Sequence, residues 1–188
     1  MICWRAWAEG VSSSILGQGS SKGRGPMPRL ECRPMPTVGT TQYRILYRDI
    51  DSMGILYYGR YLALFELGRV EFMREQGFVY REMEDQLGLM LPVTAAHCRY
   101  KTPLEYDDLA LIRTWVSAWG PATLRFAHEI HSQNTGLLCA TGEVELGCLS
   151  RQSRRPARLP AGFVEMLKRT APDSKGRKRG NPLAEAPK

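Results

Sequence analysis

The chain is poor in the residues that build disulfide scaffolds and metal centres. It has five cysteines and three histidines among 188 residues, and no two cysteines form a C-x-x-C pair. These counts and spacings favour neither a disulfide framework nor a zinc centre. We therefore predict free thiols in a reducing compartment, the cytoplasm, and a protein that uses no metal and no other cofactor.

The sequence also lacks a long hydrophobic run. No apolar segment reaches the roughly 18 residues that a membrane-spanning helix requires. Arg5 and Glu9 interrupt the N-terminal segment, which argues against a signal peptide. Residues 1–40 are rich in Gly, Ser, Pro and Arg and show no period, so they predict a flexible leader. Met27 and Met35 lie inside this leader, and both are candidate start residues.

The formal net charge of +7 is not spread over the whole chain. Residues 1–40 carry a net charge of +3 and residues 168–188 carry +5, whereas residues 41–167 have fourteen basic and fifteen acidic side chains. A folded nucleic-acid-binding protein carries its basic stripe on the fold itself. The charge distribution therefore argues against a nucleic-acid partner, and residues 171–188 are predicted to be a basic flexible tail.

Hydrophobic patterning predicts an α+β domain over residues 41–170. A strand at Gln42–Asp49 precedes a long helix at Tyr58–Gln76, in which apolar residues recur at steps of three and four. A short helix, four strands and a terminal helix follow at residues 79–87, 91–102, 109–119, 123–131, 137–149 and 163–169. Strands in hairpin succession predict an antiparallel sheet, here of five or six strands. We predict a hotdog fold, in which this sheet wraps around one long central helix.

The loop before the long helix carries a recognisable pattern. Residues 47–61 read YRDIDSMGILYYGRY, which contains D-x-D-x-x-G, two apolar residues, two aromatic positions and x-x-Tyr. Further matches follow in order at residues 65–71, 91–93, 99–103, 106–108, 142–143 and 158–160. The set resembles the 4-hydroxybenzoyl-CoA thioesterase-like hotdog proteins, which include acyl-CoA thioesterases of the YbgC type. The resemblance implies hydrolysis of an acyl-CoA thioester by a homodimer or homotetramer of hotdog subunits.

Asp51 is the candidate catalytic carboxylate. Its spacing alone favours a turn or helix-capping aspartate, because it lies between a strand end and a helix start. In the resembling family the second aspartate of D-x-D is catalytic. The resemblance therefore implies that Asp51 is either the nucleophile or the general base that activates water. Asp49 is expected to fix the loop by accepting backbone N–H groups.

The start of the long helix is the candidate oxyanion hole. The first N–H groups of a helix lack internal partners and carry partial positive charge, so they can stabilise an oxyanion. The resemblance places the donor amide at Tyr58, and Gly54 would give the acyl group room to approach the backbone. Tyr57 and Gly59 flank this amide and are predicted substrate-binding residues. Because Tyr58 stands where one branch of the family has histidine, the site has no histidine base there.

Three charged residues, Glu66, Arg155 and Arg158, complete the predicted substrate site. Glu66 and Arg69 stand three apart on the helix, so the alternatives for Glu66 are an ion pair with Arg69, or a role in pocket polarity or substrate orientation. Arg155 matches a CoA-phosphate arginine of the family, and it lies with Arg158 in a basic stretch that otherwise reads as a solvated loop. Residues 120–122, which match the other phosphate-contacting turn, contain no cation. An acyl-carrier-protein thioester is therefore the alternative substrate.

Two other function classes fit the predicted fold less well. A hotdog dehydratase or hydratase needs a histidine at the helix, and Tyr57 and Tyr58 occupy those positions. A non-catalytic acyl- or nucleic-acid-binding module would not need the intact Asp51 loop. The sequence does not distinguish an aromatic acyl group from an aliphatic one.

Overall fold

The computed structural model describes residues 35–171. The predicted leader up to residue 34 and the predicted tail from residue 172 lie outside the described residues. The described part is a mixed α/β fold with a five-stranded antiparallel sheet, a two-stranded sheet and three α-helices. The predicted class, α+β with an antiparallel sheet, is therefore confirmed at this level.

The elements follow the predicted order along the chain. The strands are β1 (Gly39–Arg44), β2 (Leu89–Met90), β3 (Val93–Tyr100), β4 (Leu109–Trp119), β5 (Thr123–Ser132), β6 (Leu138–Gly147) and β7 (Leu149–Ser150). The helices are α1 (Arg60–Glu75), α2 (Tyr80–Leu87) and α3 (Ala161–Thr170). The large sheet has the strand order β1-β4-β5-β6-β3, and β2 pairs with β7 in the small sheet.

The strand order differs from the predicted hairpin succession at β3. Strands β4, β5 and β6 are consecutive antiparallel neighbours, as predicted, but β3 pairs with β6 and not with β4. The reason is that β1 pairs with β4 along its whole length, from Gly39 opposite Thr114 to Arg44 opposite Leu109. Since that side of β4 is occupied, β3 lies at the far edge of the sheet.

The first and last long strands are shorter than predicted. β1 begins two residues before the predicted domain boundary at 41 and ends at Arg44, and residues 47–49 form a turn of 3-10 helix. This turn forms because the Asp49 carboxylate accepts the Leu46 N–H at 3.0 Å, while the Asp49 N–H donates to the Leu46 carbonyl at 2.9 Å. At the other end, Cys148 separates β6 from β7.

Helix α1 packs one face against the sheet. Phe65 stacks on the ring of His128 with the centroids 4.7 Å apart. Gly68 lets the helix approach β4 closely, because a Cβ there would lie 2.5 Å from Thr114 Oγ1. The opposite face of α1 includes Leu62, which is 43% exposed. Within the described residues, α1 is therefore buried on the face that packs against the sheet. The prediction that the sheet wraps around this helix is not confirmed.

None of the helices within residues 35–171 has both the length and the apolar character needed to cross a membrane.

Candidate active site

The loop that carries Asp51 is closed by its own backbone. The Asp51 N–H donates to the Ile55 carbonyl at 2.9 Å, and the Gly54 N–H donates to the Asp51 carbonyl at 3.0 Å. Gly54 has a φ of +80°, a left-handed conformation that strains any residue with a Cβ. A Cβ on Gly54 would meet no atom within 4 Å in the described chain. Conformation is therefore what requires glycine here, and the predicted contact with an acyl group stays a prediction.

The Asp51 side chain is half-buried and takes part in the turn. Its Oδ1 accepts the Met53 N–H at 2.8 Å, which is the turn geometry that its spacing alone favours. Its Oδ2 makes no hydrogen bond and no ion pair within residues 35–171. One carboxylate oxygen is therefore fixed, and the other is available to a substrate or a water molecule.

Asp49, two residues earlier, is 1% exposed, and both of its oxygens are occupied. Oδ2 accepts the Tyr43 hydroxyl at 2.9 Å and the Leu46 N–H at 3.0 Å, while Oδ1 pairs with the Arg60 guanidinium. Burial acts to raise the pKa of Asp49, but the hydrogen bonds from Leu46, Arg60 and Tyr43 outweigh burial and lower it. Asp49 thus ties the loop to the start of α1, and its expected bond to a backbone N–H is present.

The long helix begins at Arg60, two residues later than predicted. Gly59 is its N-cap, and the Arg60 N–H donates to the Tyr57 carbonyl at 2.8 Å, which closes a turn before the helix starts. The N–H groups of Tyr58 and Gly59 have no hydrogen-bond acceptor in the described part of the chain. Two adjacent backbone donors are therefore unpaired at the point where the oxyanion hole was predicted.

Three tyrosines belong to the segment that carries these two donors or contact it. The rings of Tyr57 and Tyr58 are 4.5 Å apart, and the side chains are 44% and 62% exposed. The neighbouring Tyr58 hydroxyl raises the pKa of Tyr57. Tyr100, at the end of β3, donates its hydroxyl to the Tyr58 carbonyl at 3.2 Å, and its ring meets the edge of Tyr61 at 5.1 Å.

Glu66 and Arg69 form the predicted ion pair, with 3.5 Å between Glu66 Oε1 and Arg69 Nη2. The burial of the two side chains is unequal, because Glu66 is 65% exposed and Arg69 is 9% exposed. Arg69 also donates to the Tyr80 hydroxyl at 3.1 Å, which joins α1 to α2. The buried member of the pair is therefore the cation, and Glu66 lies at the surface.

Arg155 and Arg158 lie in the exposed segment after β7. Their side chains make no hydrogen bond and no ion pair with any residue of the described range 35–171. The segment is held through its backbone, for example by the Ser150 N–H, which donates to the Arg155 carbonyl at 2.9 Å. No hydrogen bond or ion pair among the described residues joins these arginines to the Asp51 loop.

A cavity of about 250 Å³ lies beside the loop, between β1 and α1. Its lining includes Tyr43, Asp49, Arg60 and Leu64, and none of the predicted site residues. The Asp49–Arg60 ion pair forms part of its polar lining, so these two groups already bind each other, and Arg48 adds a second cation to the lining. Within residues 35–171, no group of three or more His, Cys, Asp or Glu side chains is arranged to hold a metal ion.

Comparison with known proteins identifies the family. The model of the thioesterase-like superfamily matches residues 45–167, which include the Asp51 loop, α1 and all of β3 to β7. The chain belongs to the thioesterase-like superfamily. The predicted resemblance is confirmed, and so is the prediction of a thioester hydrolase at the level of the family.

The chain is similar to two thioesterases and to a protein solved in complex with CoA. The acyl-CoA thioesterase YbgC of Haemophilus influenzae is 29% identical over 117 residues, which cover 62% of this chain and 85% of the relative. The crystal structure of a DHNA-CoA thioesterase from Staphylococcus aureus is 31% identical with a TM-score of 0.62, over 72% of this chain and 85% of that one. A second Staphylococcus aureus structure, in complex with CoA, has a TM-score of 0.69 at 17% identity, over 82% and 97%, and shares the fold alone.

No role is assigned from the sequence to two residues that contact this site, Arg60 and Tyr100. Arg60 stands at the first position of α1, where a cation opposes the helix dipole, so its need for an anionic partner could have been noticed. Tyr100 lies inside the matched segment 99–103, but nothing in its spacing indicates a contact with Tyr58. A bond between two segments 42 residues apart depends on the path of the chain.

Proposed function

We propose that the protein hydrolyses an acyl-CoA thioester to the free acid and CoA. The observation that carries this proposal is the segment 51–59, which has an available carboxylate oxygen on Asp51 and unpaired N–H groups on Tyr58 and Gly59. A carboxylate and a pair of backbone donors are what acyl transfer requires. The names of the relatives, acyl-CoA thioesterase and DHNA-CoA thioesterase, support the substrate class.

Two routes satisfy the chemistry at Asp51. As a general base, the carboxylate takes a proton from water, whose oxygen bonds to the thioester carbon. As a nucleophile, a carboxylate oxygen bonds to that carbon itself, and water then hydrolyses the resulting anhydride. In both routes the C–S bond breaks, the CoA sulfur gains a proton, and the acid is released.

The carbonyl oxygen becomes negatively charged in either route. We assign its stabilisation to the N–H groups of Tyr58 and Gly59, which precede the first turn of α1. A well-placed backbone donor is worth about 3–4 kcal/mol of barrier. Tyr57, Gly59 and Glu66 are proposed to contact the substrate, and the Glu66 side chain lies at the surface.

Recognition of the CoA moiety is assigned to Arg155 and Arg158. Both guanidinium groups are exposed and lack an anionic partner within residues 35–171, so they are free to pair with phosphates. Because no contact joins them to Asp51 in one chain, we propose that the complete site forms between hotdog subunits, with each sheet wrapped around its α1. Acyl-carrier-protein thioesters are the alternative substrate, and a non-catalytic acyl-binding module is the alternative function.

The proposal is tested by exchanging each aspartate of the loop for asparagine. Asp51→Asn keeps the Oδ1 bond to Met53 and loses only charge and basicity, so turnover should fall about 10²–10⁴-fold without loss of thermal stability. The matched control Asp49→Asn loses the ion pair with Arg60, so it should lower the melting temperature and cost less turnover. Near-wild-type turnover in folded Asp51→Asn would show that the catalytic assignment is wrong.

The substrate is identified by free-thiol release from a series of acyl-CoAs with aliphatic chains of graded length and with aromatic acyl groups. The same acyl groups loaded on an acyl-carrier protein form the second arm. Hydrolysis of the carrier-protein thioesters alone would favour the alternative substrate. Tight binding of acyl-CoA without thiol release would favour the non-catalytic module.

A further inference from the structure

Tyr100 is not used by the proposed mechanism, yet it contacts the backbone at its centre. It is the last residue of β3, and its hydroxyl donates to the Tyr58 carbonyl at 3.2 Å. Its ring lies edge-on to Tyr61, which is 3% exposed in the first turn of α1. Burial raises the pKa of the Tyr100 hydroxyl, so the group keeps the proton that it donates throughout the neutral range.

The bonded carbonyl belongs to the same peptide unit as one of the two unpaired donors. The Tyr58 carbonyl and the Gly59 N–H share one planar amide, and they point in opposite directions. A donor that fixes the carbonyl therefore fixes the direction of the N–H as well. A hydrogen bond to the carbonyl oxygen also polarises the amide and strengthens its N–H as a donor.

The turn closed by the Arg60 N–H and the Tyr57 carbonyl spans this peptide, but among the described residues only Tyr100 bonds to the peptide's own carbonyl, and none accepts its N–H. The Tyr58–Gly59 unit precedes the first residue of α1, and Gly59 has no side chain to restrict it. A Cβ at Gly59 would lie 2.9 Å from Tyr57 Cε1, so the tyrosine ring occupies the space that a side chain would need. The contact from β3 thus supports a peptide that would otherwise have greater freedom.

We propose that Tyr100 is a positioning residue, which holds the Tyr58–Gly59 peptide with its N–H directed at the thioester oxygen through the hydrogen bond to the Tyr58 carbonyl. The inference rests on the proposed function, because it assumes that this N–H stabilises the oxyanion. It adds a role for the end of β3, which contributes to the site without contacting the substrate.

The test is Tyr100→Phe, which removes the hydroxyl and keeps the ring against Tyr61. The variant should fold, because the Tyr100 side chain is 51% exposed and only one oxygen is lost. We expect kcat to fall roughly tenfold with KM within about twofold of wild type, since the lost interaction acts mainly on the transition state. Tyr106→Phe is the matched control, because Tyr106 is a similarly exposed tyrosine, 46% exposed, and should keep wild-type kcat.

A second measurement reads the peptide directly. The ¹⁵N amide resonance of Gly59 should shift in Tyr100→Phe, while that of Gly162 in α3 should not. Wild-type kcat in Tyr100→Phe, or a raised KM with unchanged kcat, would overturn the assignment while the proposed function stands. Absence of thioester hydrolysis by the wild-type protein across the acyl-CoA and acyl-carrier-protein series would overturn the proposed function, and the role of Tyr100 with it.

Discussion

Asp49 and Asp51 are separated by one residue, but their carboxylates differ in burial and in hydrogen bonding. Asp49 is buried and has every acceptor position filled from β1, the loop and α1. Asp51 is half-buried, and one of its oxygens is engaged by the backbone of its own turn. A carboxylate whose oxygens are all bonded within the protein can hold structure but cannot accept a proton from water. The difference in hydrogen bonding is therefore what separates the loop-fixing Asp49 from Asp51, for which we propose the catalytic role.

His128 is a second residue whose surroundings decide its protonation. It is 1% exposed, its Nδ1 lies 3.0 Å from Thr114 Oγ1, and its Nε2 has no hydrogen-bond partner among the described residues. Burial, together with the positive charge of Arg69, lowers the pKa of His128 from 6.5 to about 3. The histidine is therefore a neutral residue of the core.

The pKa of His128 predicts an acid-sensitive fold. In the unfolded chain the ring takes up a proton near pH 6.5, whereas in the folded chain it stays neutral down to about pH 3. The unfolded state thus binds more protons between these values, so the stabilisation is complete above pH 6.5 and is lost as the pH falls towards 3. The free energy of unfolding should decrease across this window by an amount on the order of a few kcal/mol.

Chemical denaturation of the wild type and His128→Gln at pH 4, 5, 6 and 7 measures this effect. Glutamine carries no titratable group, so the variant should be less stable at pH 7 but should show a flatter pH dependence. His97→Gln, which changes an exposed histidine on β3, should keep the slope of the wild type. An unchanged slope in His128→Gln would contradict the assignment of the acid sensitivity to this ring.

At the scale of elements, the close approach of α1 to the sheet depends on one glycine. A Cβ at Gly68 would lie 2.5 Å from Thr114 Oγ1 and 2.7 Å from Ile112 Cγ2. Neither neighbour can easily move, because Thr114 is 1% exposed and hydrogen-bonded to His128, while Ile112 is 0% exposed. A methyl group at position 68 must therefore push the helix away from β4.

Gly68→Ala should lower the free energy of unfolding by about 1–3 kcal/mol, even though alanine is the better helix former. Gly162→Ala is the matched control in α3, since a Cβ at Gly162 meets no atom within 4 Å. There the change should be neutral or stabilising by up to about 1 kcal/mol. Urea denaturation of both variants measures the difference. Equal stabilities for the two would show that α1 does not contact β4 as closely as described.

The helices and strands could be predicted from the sequence to the extent that local patterns determine them. The strand predicted at 123–131 is present as β5, in which the alternating residues Leu124, Phe126, His128 and Ile130 are all buried. The position of β3 could not be predicted in this way, because it depends on β1 having already occupied β4. For the same reason the bond from Tyr100 to Tyr58 has no local signature. The family pattern identified the Asp51 loop in the sequence. The hydrogen bonds within the loop could be described only from the structure.

At the scale of the whole molecule, the far edge of the sheet is unprotected. Strand β3 pairs with β6 on one side, and its other side has no partner strand within residues 35–171. Val93 and Tyr100, at its two ends, are both 51% exposed, and no residue of the strand is fully buried. Exposed edge strands with apolar side chains pair readily with another chain. We therefore propose β3 as the edge at which the predicted homo-oligomer forms, and the same strand carries Tyr100, which bonds to the Tyr58 carbonyl.

We expect two copies to pair through β3 in an antiparallel arrangement, since a two-fold axis brings the same strand of each copy together. Multi-angle light scattering at micromolar concentration should then give at least twice the chain mass of 21.2 kDa.

Val93→Lys would place a charge on this edge in both copies, and it should reduce the measured mass to that of one chain. The control Leu87→Lys changes a side chain of α2 with similar exposure, 52%, and should leave the mass unchanged. A wild-type mass of 21.2 kDa would contradict the oligomer, and an unchanged mass in Val93→Lys would place the interface elsewhere. Thiol release by the two variants tests whether the site forms between subunits. If it does, Val93→Lys should lose both the oligomer mass and the turnover, whereas Leu87→Lys should keep both.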